Sequence, residues 1–306
     1  MSLKIAFSGF WSGFDPQQNL FQRILENELG LKIQIVKDTE KSDLEFSSIL
    51  LFSGALKRGT SFAASKLFKS KLPEYTNRSR YGFVSRENSA SRRKIWYTGE
   101  NFRTPYYSAD GYLGFDADDP DAHVVYFPHW MYRLFADVNM HSKMSDQHFK
   151  YLLEPRGIIQ RDLNACMFSS ALDPRRLLIR NTLSEYLHVE CFGSAFNRRV
   201  ESKSLTSLGF GIQICPENAI YPGYVTEKLL ESWNSGNVPI WEGLDSFGYF
   251  NRDAIIDITG LNTSQIRRIF SGLNIHELAY MRSLPILNKV PSLDPVISLV
   301  KQTLDI

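Results

Sequence analysis

The chain has 306 residues, of which 43% are hydrophobic and 22% charged, and its 35 basic and 33 acidic side chains give a formal net charge of +2. This length and composition predict a folded protein of two domains and exclude an intrinsically disordered chain. The balanced charge argues against a protein that binds nucleic acid over its whole surface. No run approaches the roughly 18 apolar residues of a membrane-spanning helix, and the first residues lack the apolar core of a signal peptide. We therefore predict a cytoplasmic protein, and contact with the inner face of the membrane stays open.

The first half of the chain predicts alternating strands and helices. Apolar runs over 4–7, 31–36, 44–52 and 94–98 predict strands, and helical spacing near residues 20–25 predicts a helix after the first of them. This alternation is typical of a parallel sheet with helices on both faces. The turn between Gly9 and Gly13 is either a phosphate-binding turn or a tight strand-to-helix connection.

A basic stretch runs from Lys57 to Lys94. It contains eleven Lys or Arg side chains and two Glu, in a chain whose overall net charge is only +2. Such a stretch is either a surface that contacts an anionic membrane or acceptor, or a solvated loop. The following region, residues 106–133, is rich in aromatic, Asp and Pro residues and predicts loops that line a cleft.

A second α/β pattern follows the Pro155 and Gly157 pair, which is the predicted hinge. Strands are predicted over 165–168, 189–192, 211–215, 238–241 and 254–258, and helices over 173–186, 226–233 and 264–273. We predict domains at 1–155 and 156–306, with the C-terminal segment packing back on the first domain. The three cysteines, Cys166, Cys191 and Cys215, lack metal-like spacing and predict buried reduced thiols.

The most informative stretch runs from Glu217 to Lys228. An apolar strand ends at Cys215, a loop with Pro and Gly follows, and a helix is predicted to begin near Thr226. Ligands bind at the carboxyl ends of parallel strands, and helix N-termini favour anions. Lys228 could reach a phosphate, and the flat face of Tyr224 suits a base or a sugar. Together these residues favour a nucleotide diphosphate.

This stretch resembles the signature of the α-1,3/4-fucosyltransferases. The matching residues are Glu217-Asn218, Tyr224-Val225-Thr226-Glu227-Lys228, Gly236 and Val238-Pro239, joined in the same order along the chain by Tyr97–Asn101, Gly114–Asp116, Arg180-Asn181, Gly193, Asn197 and 253–258. The resemblance implies a glycosyltransferase of GT-B type, with two Rossmann-like domains facing a cleft. The N-terminal domain would bind the acceptor and the C-terminal domain GDP-fucose. The implied reaction is inverting transfer of L-fucose from GDP-β-L-fucose to a GlcNAc hydroxyl of an N-acetyllactosamine-type unit, in α-1,3 linkage.

The sequence departs from the family pattern at five positions. They are Ser170, Glu190, Gly211, Pro216 and Ala219. These departures bear on the choice of acceptor and, less, on the donor sugar. Two alternatives therefore stay open: a transferase that uses another GDP-hexose, and a catalytically silent GDP- or sugar-binding protein. A nucleic-acid-binding protein acting through the basic stretch is a third.

The resemblance also assigns roles to individual residues. Glu100 is the candidate base that accepts the proton of the acceptor hydroxyl, although it could be a surface carboxylate that holds a turn. Arg180 and Lys228 are the candidates for the diphosphate, and without the motif Arg175, Arg176 and Arg198 are equal to Arg180 by composition. The remaining donor-site candidates are Glu217, Asn218, Tyr224, Val225, Thr226 and Glu227.

On the acceptor side the candidates are Trp11, Asp116, His129 and Trp130, because aromatic faces suit sugar rings, although Trp is also common in protein cores. No metal-binding motif is present, so we predict that no cofactor or metal ion is essential. The predicted partners are GDP-fucose and a glycan acceptor. If the acceptor is linked to a lipid, it would lie at the membrane surface.

Overall fold

The computed structural model describes residues 2–11, 13–48, 93–100, 109–119, 123–137, 146–171 and 173–306. The chain forms two compact units. Unit 1 comprises Met1–His148, Ala219–Thr226 and Pro291–Ile306, and unit 2 comprises Phe149–Asn218 and Glu227–Val290. Most of the basic stretch lies outside the described residues, and Arg93 and Lys94 at its end lie within them.

Unit 1 is built on a six-stranded parallel sheet in the order β2-β1-β3-β4-β5-β6. Its strands are β1 (Leu3–Ser8), β2 (Ile33–Ile35), β3 (Leu44–Ser47), β4 (Arg93–Tyr97), β5 (Gly111–Gly114) and β6 (Val124–Tyr126). Because β1 pairs with both β2 and β3, the strand order reverses at β1. A ligand crevice in such sheets lies beyond the carboxyl ends of the strands at that point.

The described residues of unit 1 also form helices. They include α1 (Leu20–Arg23), which continues as a π-helical turn over Ile24–Glu28, the 3₁₀ turn Thr39–Lys41, and α2 (His129–Ala136). Helix α8 (Asp294–Leu304) packs against β4, β5 and β6 although it lies at the end of the chain. Arg93 holds it by donating to the carbonyl oxygen of Leu304 at 2.6 Å, and a Cβ at Gly111 would lie 3.0 Å from Leu299.

Unit 2 is built on a five-stranded parallel sheet in the order β11-β10-β9-β7-β8. Its strands are β7 (Asn164–Phe168), β8 (His188–Phe192), β9 (Ile212–Ile214), β10 (Val238–Trp241) and β11 (Ile256–Asp257). Its helices are α3 (Pro174–Leu183), α4 (Lys203–Ser207), α5 (Lys228–Asn234), α6 (Thr263–Ser271) and α7 (Ile275–Ser283). Two 3₁₀ turns of unit 2 span Ser194–Phe196 and Arg252–Ala254. A further 3₁₀ turn, Asp146–Leu152, lies where the chain passes from unit 1 to unit 2. The strand order reverses at β7, between β8 and β9.

Local sequence explains where several of these helices begin. Asp173 accepts hydrogen bonds from the backbone N–H groups of Arg175 and Arg176, and Pro174 occupies the first turn of α3. Asn262 and Gln265 form a capping box at the start of α6. The helix that the sequence predicts to begin near Thr226 begins two residues later in the structure. Helix α5 begins at Lys228 with Glu227 in the cap position, because Thr226 belongs to a segment that packs within unit 1.

The two all-parallel α/β units confirm the predicted fold class of two Rossmann-like domains. The main core of unit 2 is an apolar layer on one face of its sheet, and it includes Ala165, Ile179, Ile212, Ile240 and Ile266. Among the described residues, no helix has the length and apolar character needed to cross a membrane.

Candidate active site

Three polar side chains follow the central strands of unit 2 at the edge where the strand order reverses. Ser169 follows β7, and Glu217 and Asn218 lie just beyond β9. The backbone ties these loops to their neighbours, because Ser169 N–H donates to Phe192 and Glu217 N–H donates to Glu242, each at 2.9 Å. Their side chains therefore start from fixed positions at one edge of the sheet.

A buried carboxylate positions Lys228. The side chain of Glu217 has no solvent exposure, and its Oε2 lies 3.0 Å from Lys228 Nζ. Its second oxygen, Oε1, accepts a hydrogen bond from Trp241 Nε1 at 3.3 Å. A buried carboxylate is costly unless it is paired, so this arrangement fixes the ammonium group at the start of α5. Both oxygens of Glu217 are thus bonded to protein groups, and its predicted contact with the donor sugar stays a prediction.

Asn218 joins two cations. Its Oδ1 accepts from Lys228 Nζ at 3.1 Å and from Arg176 Nη2 at 2.5 Å. Arg176 also donates through Nη1 to the hydroxyl oxygen of Ser169 at 2.9 Å. The site therefore links the loop after β7, the first turn of α3, the loop after β9 and the start of α5.

The neighbouring Arg175 has a different partner. It forms a two-point ion pair with Glu242, with Nε–Oε2 at 2.9 Å and Nη2–Oε1 at 2.5 Å. The Glu242 side chain is 5% exposed and the Arg175 side chain 27%. Its guanidinium is therefore neutralised locally, in contrast to that of Arg176.

Arg180 lies further along α3. Its Nη1 donates to Asn181 at 2.8 Å, and its guanidinium neighbours the thiol of Cys191 on β8. Burial raises the pKa of that thiol, and the charge of Arg180 opposes the rise. In the part of the chain that the structure describes, no hydrogen bond or ion pair joins Arg180 to Asn218 or Lys228. Its predicted contact with a diphosphate stays a prediction.

The middle of the signature packs within unit 1. Tyr224 is 2% exposed, and its ring meets the ring of Phe115 edge-on at 5.2 Å. Tyr221 donates to Asp116 Oδ1 at 3.2 Å. Asp116, a predicted acceptor-binding residue, is therefore hydrogen-bonded to a residue of the signature stretch. Val225 and Thr226 are buried beside these residues, and Glu227 is half-buried at the start of α5. The signature thus divides, and Glu217, Asn218, Glu227 and Lys228 remain in unit 2.

In unit 1, acceptor candidates meet at the carboxyl ends of β1 and β4. Tyr97 OH lies 3.0 Å from His129 Nδ1, and the ring of Trp11 meets that of His129 edge-on at 5.9 Å. Gly99 permits this approach, because a Cβ there would lie 2.6 Å from His129 Nδ1. By contrast, Trp130 has no solvent exposure and packs in the core.

Glu100 follows β4 in the same region. The Thr98 hydroxyl donates to the carbonyl oxygen of Glu100 at 2.8 Å, and the Glu100 N–H lies 3.2 Å from the same hydroxyl oxygen. This local turn fixes the backbone and leaves the Glu100 side chain exposed. An exposed carboxylate at this position is accessible to a ligand.

No group of three or more His, Cys, Asp or Glu side chains that could hold a metal ion occurs within the described ranges. The expected independence from metal ions stays a prediction.

A protein-family model matches part of this chain. Residues 159–283 match the family model described as glycosyltransferase family 10 (fucosyltransferase) C-term. This match confirms the resemblance that the signature indicated. No curated protein sequence matches the chain significantly.

Solved structures share the fold of the whole chain. A crystal structure of an alpha1,3-fucosyltransferase aligns with a TM-score of 0.68 at 20% identity, covering all of this chain and 90% of that one. Its complexes with GDP-fucose and with GDP align with TM-scores of 0.67 and 0.69 at 20% and 19% identity, again over all of this chain and 91% of those chains. These similarities confirm a GT-B type fold.

Proposed function

We propose, from the match of residues 159–283 to the model of glycosyltransferase family 10 (fucosyltransferase) C-term, that this enzyme transfers L-fucose from GDP-β-L-fucose to a hydroxyl group of a glycan. The transfer inverts the anomeric centre. We propose as acceptor the GlcNAc of an N-acetyllactosamine-type unit, joined in α-1,3 linkage.

The observation that carries this proposal is the fixed ammonium group of Lys228. It lies at the carboxyl edge of the unit 2 sheet, held at 3.0 Å from the fully buried carboxylate of Glu217. When the glycosidic bond to GDP breaks, negative charge grows on the diphosphate, and a positioned cation stabilises that charge. The GDP-fucose complex of the structurally similar alpha1,3-fucosyltransferase supports the choice of donor.

Inversion requires one displacement at the anomeric carbon. The acceptor oxygen forms its bond to this carbon as a base takes the hydroxyl proton, and GDP leaves with the electron pair of the broken bond. Glu100 is the proposed base, since it follows β4 on a turn held by Thr98 and its side chain is exposed. Partial removal of water from this carboxylate on substrate binding would strengthen it as a base.

The acceptor is proposed to lie on the aromatic group of unit 1. Trp11 and His129 meet edge-on at 5.9 Å, and both side chains are partly exposed. An aromatic face with a polar neighbour suits the apolar face and the hydroxyls of a sugar ring. We further propose that protein cations, and no metal ion, neutralise the charge of the diphosphate. We also propose that the enzyme acts in the cytoplasm. If the acceptor is lipid-linked, the basic stretch would contact an anionic membrane.

The test is acceptor-dependent release of GDP from GDP-fucose, measured with a panel of N-acetyllactosamine-type acceptors. The wild-type chain is compared with Glu100→Gln and with Glu40→Gln, an exposed carboxylate of unit 1 that serves as the matched control. We expect Glu100→Gln to lower the rate of transfer at least about 100-fold, because general-base catalysis contributes roughly 10²–10⁴-fold. GDP binding should be unchanged in both variants.

Three results would contradict the proposal. Equal turnover in Glu100→Gln and Glu40→Gln would remove Glu100 as the base. Binding of GDP without transfer to any acceptor would indicate a binding protein, and transfer from another GDP-hexose in a donor panel would correct the sugar.

A further inference from the structure

The first turn of α3 presents two adjacent arginines with different surroundings. Arg175 is paired at two points with the nearly buried carboxylate of Glu242. Arg176 donates to two neutral oxygens, Ser169 Oγ at 2.9 Å and Asn218 Oδ1 at 2.5 Å. Across the described ranges, no carboxylate forms an ion pair with Arg176.

The charges around Asn218 do not balance. Its Oδ1 receives one bond from Arg176 and a second, at 3.1 Å, from Lys228. Glu217 compensates the charge of Lys228, which leaves the charge of Arg176 without an anionic partner. Two cationic groups that share one neutral amide oxygen repel each other, and an anion with several oxygens would satisfy both better.

The position in the fold also favours an anion. Ser169 follows β7 and Asn218 lies beyond β9, the two strands between which the order of the sheet turns. Arg176 lies in the first turn of a ten-residue helix whose N-terminus carries partial positive charge. Ligands of open parallel sheets bind at this edge.

We propose that Arg176 binds the diphosphate of the donor together with Lys228. The amide oxygen of Asn218 accepts from both cations where a phosphate oxygen could do so, and donor binding transfers the bonds of both cations from this oxygen to the diphosphate. The planar guanidinium can engage two phosphate oxygens, and the lysine follows as a point charge. This inference rests on the proposed function, and it adds a residue where the family resemblance points to Arg180.

The experiment measures the affinities of GDP, guanosine and inorganic pyrophosphate for the wild-type chain, Arg176→Gln, Arg176→Lys and Arg180→Gln. Arg268→Gln, an exposed arginine on α6, is the matched control. A charge-assisted hydrogen bond contributes about 1.5–3 kcal/mol, so we expect Arg176→Gln to weaken GDP binding about 10- to 100-fold. Pyrophosphate binding should weaken in parallel, guanosine binding should stay within about twofold of wild type, and Arg176→Lys should recover part of the loss because it restores the charge.

Each outcome decides the inference. GDP affinity of Arg176→Gln within about twofold of the control would overturn it, as would an equal loss of GDP and guanosine, which would indicate a structural role. A loss in Arg180→Gln alone would assign the part to Arg180. Failure of the proposed function is separate: a wild-type chain that does not bind GDP, but binds pyrophosphate in a way that depends on Arg176, would refute the nucleotide donor and leave the anion site.

Discussion

Replacing Gly193 with alanine tests how the backbone at the carboxyl edge of the unit 2 sheet supports the proposed diphosphate site. Gly193 follows β8 with φ 106° and ψ 177°, a region that is essentially restricted to glycine. Its N–H donates to Arg198 O at 2.7 Å, which closes a tight turn. A Cβ at this position would overlap the carbonyl oxygen of Ser169. The hydroxyl oxygen of Ser169 also accepts a hydrogen bond from Arg176.

The size of the effect follows from two contributions. The backbone conformation alone costs a residue with a side chain about 1–3 kcal/mol. The contact with Ser169 adds to this cost, because the obstructing atom belongs to the backbone and cannot rotate away. We expect Gly193→Ala to lower the free energy of unfolding by about 3–5 kcal/mol, a range that point mutations reach only through such specific mechanisms.

Gly260→Ala is the matched control for this change. Gly260 also has a positive φ, 74°, but nothing lies within 4 Å of a Cβ built there. We expect it to cost about 1–2 kcal/mol, the price of a left-handed conformation for an L-residue. Urea denaturation gives the free energies, and hydrogen exchange of peptides that cover residues 164–198 locates the change. GDP affinity should fall in Gly193→Ala and stay unchanged in Gly260→Ala. Equal destabilisation by the two variants would refute the argument, because the steric contact would then contribute nothing.

Two further predictions concern side chains of different burial. Trp130→Ala should lower the free energy of unfolding by about 3–5 kcal/mol, since its indole is fully buried, whereas Trp11→Ala should mainly raise the KM for the acceptor. Urea denaturation measures the first effect and transfer kinetics the second. A selective effect of Trp130→Ala on KM would contradict the assignment of Trp130 to the core. Burial raises the pKa of the thiols of Cys166, to about 12, and of Cys191 and Cys215, so at pH 8 all three should react slowly with a thiol reagent in the native protein and rapidly after denaturation. Because the native thiol of Cys166 stays protonated while the unfolded one ionises near its usual pKa of about 9, its contribution to stability should decline as the pH rises from about 9 to 12; rapid labelling of the native protein at pH 8 would contradict the burial.

The sequence alone determined the fold class, the family resemblance and several local features. Alternating strand and helix patterns are local properties, and they predicted the parallel α/β architecture of both units. The start of α3 at Asp173 also follows from local chemistry, because its carboxylate accepts from N–H groups two and three residues away. The signature around residues 217–239 indicated the family that the match over 159–283 confirmed.

Tertiary structure decided which of the similar residues meet. Arg175 and Arg176 are equal by composition, yet one faces a buried carboxylate and the other shares the oxygen of Asn218. That oxygen is 42 residues away along the chain and comes close because β9 pairs with β7 on the side opposite β8. Strand order is set by packing between distant segments, which a local pattern does not encode.

The same reason explains the divided signature and the two tryptophans. Residues 219–226 pack with Phe115 and Asp116 in unit 1, while Glu217 and Lys228 hold each other in unit 2. Trp11 is partly exposed and Trp130 is fully buried, although composition makes both of them acceptor candidates. Sequence determined which side chains are present and which local elements they form, and long-range packing decided which of them are buried, which are paired and which remain available to a ligand.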